Sequence, residues 1–221
     1  MRFIHWLTDA LFPPRGTELI VRDLHDEALV ELLAPHTVAI TADGCSLPNA
    51  TALLSYADAR VRACVVEAKF HGNGRAAQLL ARALHMYLAG LFAGTDRYVL
   101  IPLPLSARRL RERGYNQVER VALLALIDLE SYIGMNTALL IRTRDTLPQT
   151  TLSGVERRQN LKGAFAVANA PELSFPPIDP DQTYILLDDV ITTGSTLAAA
   201  AAELYKGGAR HVLPLGLAHQ A

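Results

Sequence analysis

Short apolar runs alternate with longer stretches of helical period along most of this chain. From Asp58 onward, Val61, Val65, Val66 and Phe70 recur at three- and four-residue steps until Gly72, which predicts a helix with one apolar face. A second helix is expected from about Arg75 to Leu91, with Leu79, Leu80, Leu84 and Leu88 along one side. YVLIPLP (98–104) reads as a strand ending in prolines, and Asn116–Leu129 as an apolar-rich helix. ALLIRT (138–143), AFAVA (164–168) and TYILL (183–187) are expected strands, the last by its aromatic and branched content. An Ala-rich helix over Leu197–Lys206 is stopped by Gly207 and Gly208, and HVLPLGL (211–217) follows as a strand. This alternation predicts an α/β fold with a mostly parallel sheet covered on both faces by helices.

The first 57 residues follow a different pattern. They are biased to acid (Asp9, Glu18, Asp23, Asp26, Glu27, Glu31) and broken by Pro13, Pro14, Pro35 and Pro48. Asp43-Gly44 is a turn signal between VAI and the apolar residues near Leu53–Tyr56, so a small hairpin is expected there. The division read from these patterns is an N-terminal segment, 1–57, and a body, 58–221. The opening MRFIHWLTDALFPPRG is too short to span a bilayer and is interrupted by His5 and Asp9. It reads as an amphipathic helix packed on the body of a cytoplasmic protein, with no membrane insertion. Pro171–Pro180, with four prolines, reads as an irregular connection.

Composition narrows the classes further. The 221 residues are 50% hydrophobic and 19% charged, enough for one large α/β domain or a domain with a small appendage. A net charge of −1 excludes a global field that recruits nucleic acid, so any polyanion contact is local. Two basic stretches qualify. Residues 102–120 carry Arg108, Arg109, Arg111, Arg113 and Arg120 against Glu112 and Glu119. Residues 142–165 carry Arg142, Arg144, Arg157, Arg158 and Lys162 against Asp145 and Glu156. Cys45 and Cys64 are too far apart for a CxxC pair, and the chain has no four-ligand zinc cluster.

Chemistry concentrates in YILLDDVITTGSTLAA (184–199). A strand ending near Leu187 and a helix starting near Ser195 place residues 188–194 in a loop at the carboxyl edge of the sheet, where ligands of open α/β sheets bind. The first amides of the helix carry the positive end of its dipole, and hydroxyls at Thr192, Thr193, Ser195 and Thr196 add donors. Gly194 lets the backbone approach an anion closely. Asp188 and Asp189 repel one another and call for hydroxyl donors, a cation or water. A ribose bearing a 5′-phosphate meets both needs.

ILLDDVITTGSTL resembles the 5-phosphoribosyl-1-diphosphate (PRPP) motif of type I phosphoribosyltransferases, and no Walker A GK[ST] is present. KFHGNGRAAQLLA (69–81), IPLPLSARRLRERGYNQ (101–117) and LPQTTLSGVERRQNLKGAF (147–165) resemble the ComF family of phosphoribosyltransferase-like proteins, which includes ComFC and GntX. The likeness runs from about Asp58 to the end of the chain.

It implies a type I phosphoribosyltransferase fold in which Asp188 and Asp189 contact ribose hydroxyls. The loop Thr192, Thr193, Gly194, Ser195 and Thr196 would hold the 5′-phosphate. PLPLS (102–106) occupies the place of the diphosphate loop, with Pro104, Leu105, Ser106, Arg108 and Arg109. Residues 142–165 resemble a lid, in which Gln149, Arg157 and Asn160 are polar contacts or loop stabilisers. Arg113, Asn116 and Gln117 flank the site, and Lys69 reads equally as a diphosphate contact or a surface lysine. Mg²⁺ would arrive with PRPP, near Asp188 and Asp189. Such a site serves either transfer of phosphoribosyl to a nitrogen acceptor with release of diphosphate, or a non-catalytic PRPP-binding module acting in DNA uptake with single-stranded DNA or competence partners. Nothing in the chain names an acceptor or a catalytic residue. ComF proteins usually begin with a Cys-rich zinc ribbon near an LFPP-like sequence. Here LFPPRGTE (11–18) continues without those cysteines, so residues 1–57 read as a degenerate ribbon or hood and no zinc is expected.

Overall fold

Two adjacent parallel strands of nine residues each, Thr183–Ile191 and His211–His219, organise the molecule. The structure is a computed structural model that describes residues 13–40, 47–91, 97–144, 163–168 and 178–221. In chain order the described elements are α1 (Gly16–Asp23), β1 (His36–Val38), β2 (Ala50–Ser55), α2 (Ala59–Phe70), α3 (Gly74–Ala89), β3 (Tyr98–Pro102), α4 (Ala107–Arg113), α5 (Gln117–Ala125), β4 (Ile133–Met135), β5 (Leu140–Arg142), β6 (Phe165–Val167), β7 (Thr183–Ile191), α6 (Ser195–Lys206) and β8 (His211–His219). Six strands form one sheet in the order β1-β2-β8-β7-β3-β4. Every pairing is parallel except β1 with β2. The expected hairpin therefore exists, although its Asp43-Gly44 turn lies outside the described residues.

Strand alternation splits the core into two layers. On β7, Ile185 and Leu187 pack with Leu79, Leu84, Val121 and Cys64 of the α2, α3 and α5 layer. Tyr184 and Leu186 face Leu197, Ala201 and Leu204 of α6 and Phe165 of the β5–β6 ribbon. Cys64 is fully buried, and burial pushes its thiol up to about 12.

Local caps fix where helices begin. Asp58 accepts from the Arg60 amide at 2.8 Å to start α2. Asn73 accepts from the Arg75 and Ala76 amides at 3.0 and 3.2 Å to start α3. On the other side of α2, the carboxylate of Glu67 is enclosed: Arg15 donates Nε and Nη2 at 3.0 and 2.8 Å, and Thr17 Oγ1 donates at 2.7 Å. These bonds, the Arg15 pair foremost, hold Glu67 down to about 2 and tie the start of α1 to α2.

The structure differs from the sequence expectations at several points. β7 runs to Ile191, so Asp188 and Asp189 lie within the strand and only residues 192–194 form the loop. The ladder explains this: Asp188 opposes Gly216, Val190 opposes Ala218, and Ile191 opposes His219, so branched residues continue the strand beyond the acids. β5 and β6 pair antiparallel in a separate ribbon and stay outside the main sheet. α5 ends at Ala125 and gives way to turns that include Asp128 at φ 68°. β4 was not anticipated, because Ile-Gly-Met is too short to show a period.

Phe70 departs from the apolar stripe of α2: it is 60% exposed. Lys69 is drawn to the strand end in an ion pair with Asp189, and a neighbouring helical position is rotated by about 100° from it. The opening residues through Phe12, Cys45, most of the proline-rich connection, and the lid candidates Gln149, Arg157 and Asn160 lie outside the described residues.

Candidate functional site

Buried polar side chains gather where β3 and β7 end side by side. Among the described residues, the buried polar or charged ones are Glu67, Ser106, Gln117, Asp189 and Ser195, and all but Glu67 lie at this edge. Leu103 continues the ladder by donating its amide to Leu187 O at 2.9 Å, which brings the loop after β3 beside the acid pair.

The acids have different surroundings. Asp189 is 7% exposed, and its Oδ2 accepts from Gln117 Nε2 at 2.6 Å and pairs with Lys69 Nζ at 2.7 Å. Its Oδ1 accepts from the Val190 amide at 2.8 Å. Burial opposes its ionisation, but Lys69 and these hydrogen bonds outweigh that and hold Asp189 below the usual carboxylate range. Asp188 is partly exposed, and its Oδ1 accepts from the Asp189 amide at 2.8 Å. Loss of solvent and then the charge on Asp189 push it up to about 7, against the pull of Lys69 and Arg142.

RGYNQ (113–117) builds the opposite wall residue by residue. Arg113 donates to Gln117 Oε1 and so orients the amide that holds Asp189. Gly114, at φ 80°, ends α4 in the left-handed region, and Tyr115 donates its hydroxyl to Ala68 O at 2.9 Å. Asn116 caps α5 through the Val118 amide at 3.0 Å and donates to Leu103 O at 3.0 Å, fastening the loop that follows β3. In that loop Pro104 and Leu105 are partly exposed, while Ser106 is buried and caps α4 by accepting from the Arg109 amide at 3.3 Å. Arg109 is partly exposed on α4, whereas Arg108 is turned to solvent and bonded to Glu112 at 2.7 Å.

The start of α6 supplies the other half of the site. Gly194 sits at φ 69°, and a β-carbon there would lie 2.1 Å from Ile40 Cγ2, so only glycine fits. Thr192 and Thr193 are exposed, Ser195 is buried, and Thr196 is partly exposed. The Thr193 and Ser195 hydroxyls are 2.9 Å apart. Thus the structure brings together Lys69, Gln117, Asp188 and Asp189, with Arg113 behind Gln117 and loop 192–196 at the end of the same strand. Sequence reasoning missed Ile40, for which no local pattern exists. Arg142, read from the sequence as part of the basic stretch 142–165, ends β5 and acts as a charge on Asp188, a pairing that its place in the sequence did not show.

The fold and the site together define a mostly parallel α/β protein with an acid pair and a hydroxyl loop at the carboxyl edge. Comparison with known proteins supplies relatives. The chain is 38% identical over 121 residues to Competence protein F of Haemophilus influenzae, covering 54% of this chain and 49% of that protein. It is 33% identical over 155 residues to DNA utilization protein YhgH of Salmonella typhi, covering 67% of this chain and 62% of the relative. With YhgH of Escherichia coli K12 the identity is 34% over 134 residues, covering 54% of the relative. The chain is thus a homologue of competence protein F and the YhgH proteins, in line with its ComF-type motifs, and the matches span about half of these relatives' length or somewhat more. No family model matches it. Among solved structures, a hypoxanthine phosphoribosyltransferase from Staphylococcus aureus is similar over 65% of this chain and 63% of that one, at 13% identity and a TM-score of 0.34.

Proposed function

We propose that this chain has the type I phosphoribosyltransferase fold, binds PRPP with Mg²⁺ at this edge, and transfers phosphoribosyl to a nitrogen acceptor. The observation that carries the reading is the convergence of the Asp188–Asp189 pair with the Gly194 helix start at the end of one strand. Asp188, the more accessible acid, receives the ribose hydroxyls, and Asp189 is the fixed member that orients it. Residues 192–196 hold the 5′-phosphate through hydroxyls and helix-terminal amides. The loop of Pro104, Leu105 and Ser106, with Arg109 behind it, faces the diphosphate.

Hard carboxylate oxygen and partial exposure at Asp188 suit Mg²⁺. When bound, it neutralises charge on the departing diphosphate. The C1–O bond breaks with its electron pair leaving on diphosphate, and the acceptor nitrogen forms the new C1–N bond and gives up a proton.

Calorimetry with PRPP, with and without Mg²⁺, tests the site. Binding by the wild type and its loss in an Asp188→Ala, Asp189→Ala double variant are expected; equal binding by both would refute the assignment. Diphosphate release with candidate bases then tests transfer. A second reading, a PRPP-binding module in DNA uptake, is favoured by the names of the relatives, a competence protein and DNA utilization proteins. It predicts salt-dependent binding of single-stranded DNA, and no binding at low salt would count against it.

A further inference from the structure

His36 and His219 are 183 residues apart in sequence, and the fold brings their rings together across β2. His36 Nε2 lies 3.1 Å from His219 Nδ1, with ring centroids 5.3 Å apart and planes tilted by 45°. The other nitrogen of His36, Nδ1, is 3.0 Å from Ala34 O. A carbonyl oxygen only accepts, so Nδ1 carries the proton and Nε2 of the neutral ring offers its lone pair toward His219. Metal-binding imidazoles are oriented in the same way, by a second nitrogen that donates to a backbone carbonyl. His36 is exposed and His219 partly exposed, so an ion can reach both from solvent. The backbone around them is fixed. His219 opposes Ile191, the last residue of β7 before the hydroxyl loop, and the Gln220 amide donates to Ile191 O at 2.9 Å. Four residues beyond His36, Ile40 packs against Gly194 at the start of α6.

We propose that His36 and His219 chelate one divalent transition-metal ion beside the hydroxyl loop, with water in the remaining positions. Nitrogens 3.1 Å apart, each about 2.0–2.1 Å from the ion, subtend about 100° there, between the octahedral and tetrahedral angles. The proton on His219 Nδ1, now shared with His36 Nε2, passes through water to Nε2 of its own ring as the ion takes its place. No group of three or more His, Cys, Asp or Glu that could hold a metal occurs among the described residues, so the two imidazoles set the selectivity. Imidazole prefers Cu²⁺, Ni²⁺ and Zn²⁺ to Mg²⁺. The bound ion ties the edge strand β1 to the end of β8, and neither Asp188 nor Asp189 takes part.

Calorimetry on the full chain, free of any histidine tag and in excess Mg²⁺, tests the pair with Zn²⁺ and Ni²⁺. Saturable binding is expected, and His36→Ala and His219→Ala should each weaken it about tenfold or more, since loss of an outer partner alone does as much. His25→Ala, at a histidine outside the pair, should leave it unchanged. The melting temperature without metal reports an intact fold in each variant. Zn²⁺ should raise it in the wild type and not in a His36→Ala, His219→Ala double variant. Electron paramagnetic resonance of bound Cu²⁺ should show nitrogen coupling that the double variant loses. Absence of saturable binding by the wild type at millimolar Zn²⁺ overturns the chelate. So does binding that the double variant retains, or that depends on only one of the two histidines.

Discussion

Asp188 and Asp189 are adjacent in sequence, yet their neighbours set them different tasks. Asp189 accepts from Gln117, Lys69 and the Val190 amide, so both of its oxygens are engaged by the protein. Gln117→Leu removes a buried donor and should cost about 1–3 kcal/mol of stability, read by urea denaturation. Asp188→Asn removes a charge that burial and Asp189 both oppose, so it should leave stability equal or higher while PRPP binding falls. A destabilised Asp188→Asn beside a neutral Gln117→Leu would reverse these roles. The acid pair was legible in the sequence because strand, acids and hydroxyl loop are contiguous. Its asymmetry was not, because Lys69 and Gln117 reach Asp189 from helices far away along the chain.

Elements hold the site through their ends. The start of α6 depends on Gly194, whose left-handed backbone and contact with Ile40 leave no room for a side chain. Gly194→Ala should therefore cost at least about 2 kcal/mol, combining backbone strain with overpacking, and should weaken phosphate binding; an unchanged melting temperature would contradict this. The tie between α1 and α2 should respond to pH. Glu67 is held down to about 2 from an ordinary 4.5, so its stabilisation is complete above the unfolded value and is lost as pH falls toward 2. Glu67→Gln should lower the melting temperature at pH 7, and the gap to the wild type should close toward pH 2. Helices α2 and α3 were readable from their apolar period and, for α2, the stop at Gly72. β4 was not, since a three-residue strand carries no period; β5 and β6 were expected as strands, but their pairing in a separate ribbon was not, because strand partners are set by tertiary packing.

The sheet spans the whole chain more evenly than the compositional break at residue 57 suggests. β2 pairs with β8, and Leu53 and Leu54 are fully buried in the helix-side core. A chain beginning at Asp58 would expose the β8 edge and lose that packing, so it should fail to unfold cooperatively in calorimetry; a sharp transition like that of the full chain would show that residues 58–221 fold alone. The mostly parallel architecture was readable from the alternation of short apolar runs with helices. The order of the strands was not, because it depends on crossovers that leave no local mark. Among the described residues, no helix is long and apolar enough to cross a membrane. Cys64, sealed inside the helical layer, also provides a clock. The chain has two cysteines, so Cys45→Ser leaves a single thiol that a reagent can reach only when that layer opens. Its labelling rate, with and without ligand, would report how often the helices part from the sheet beneath the site.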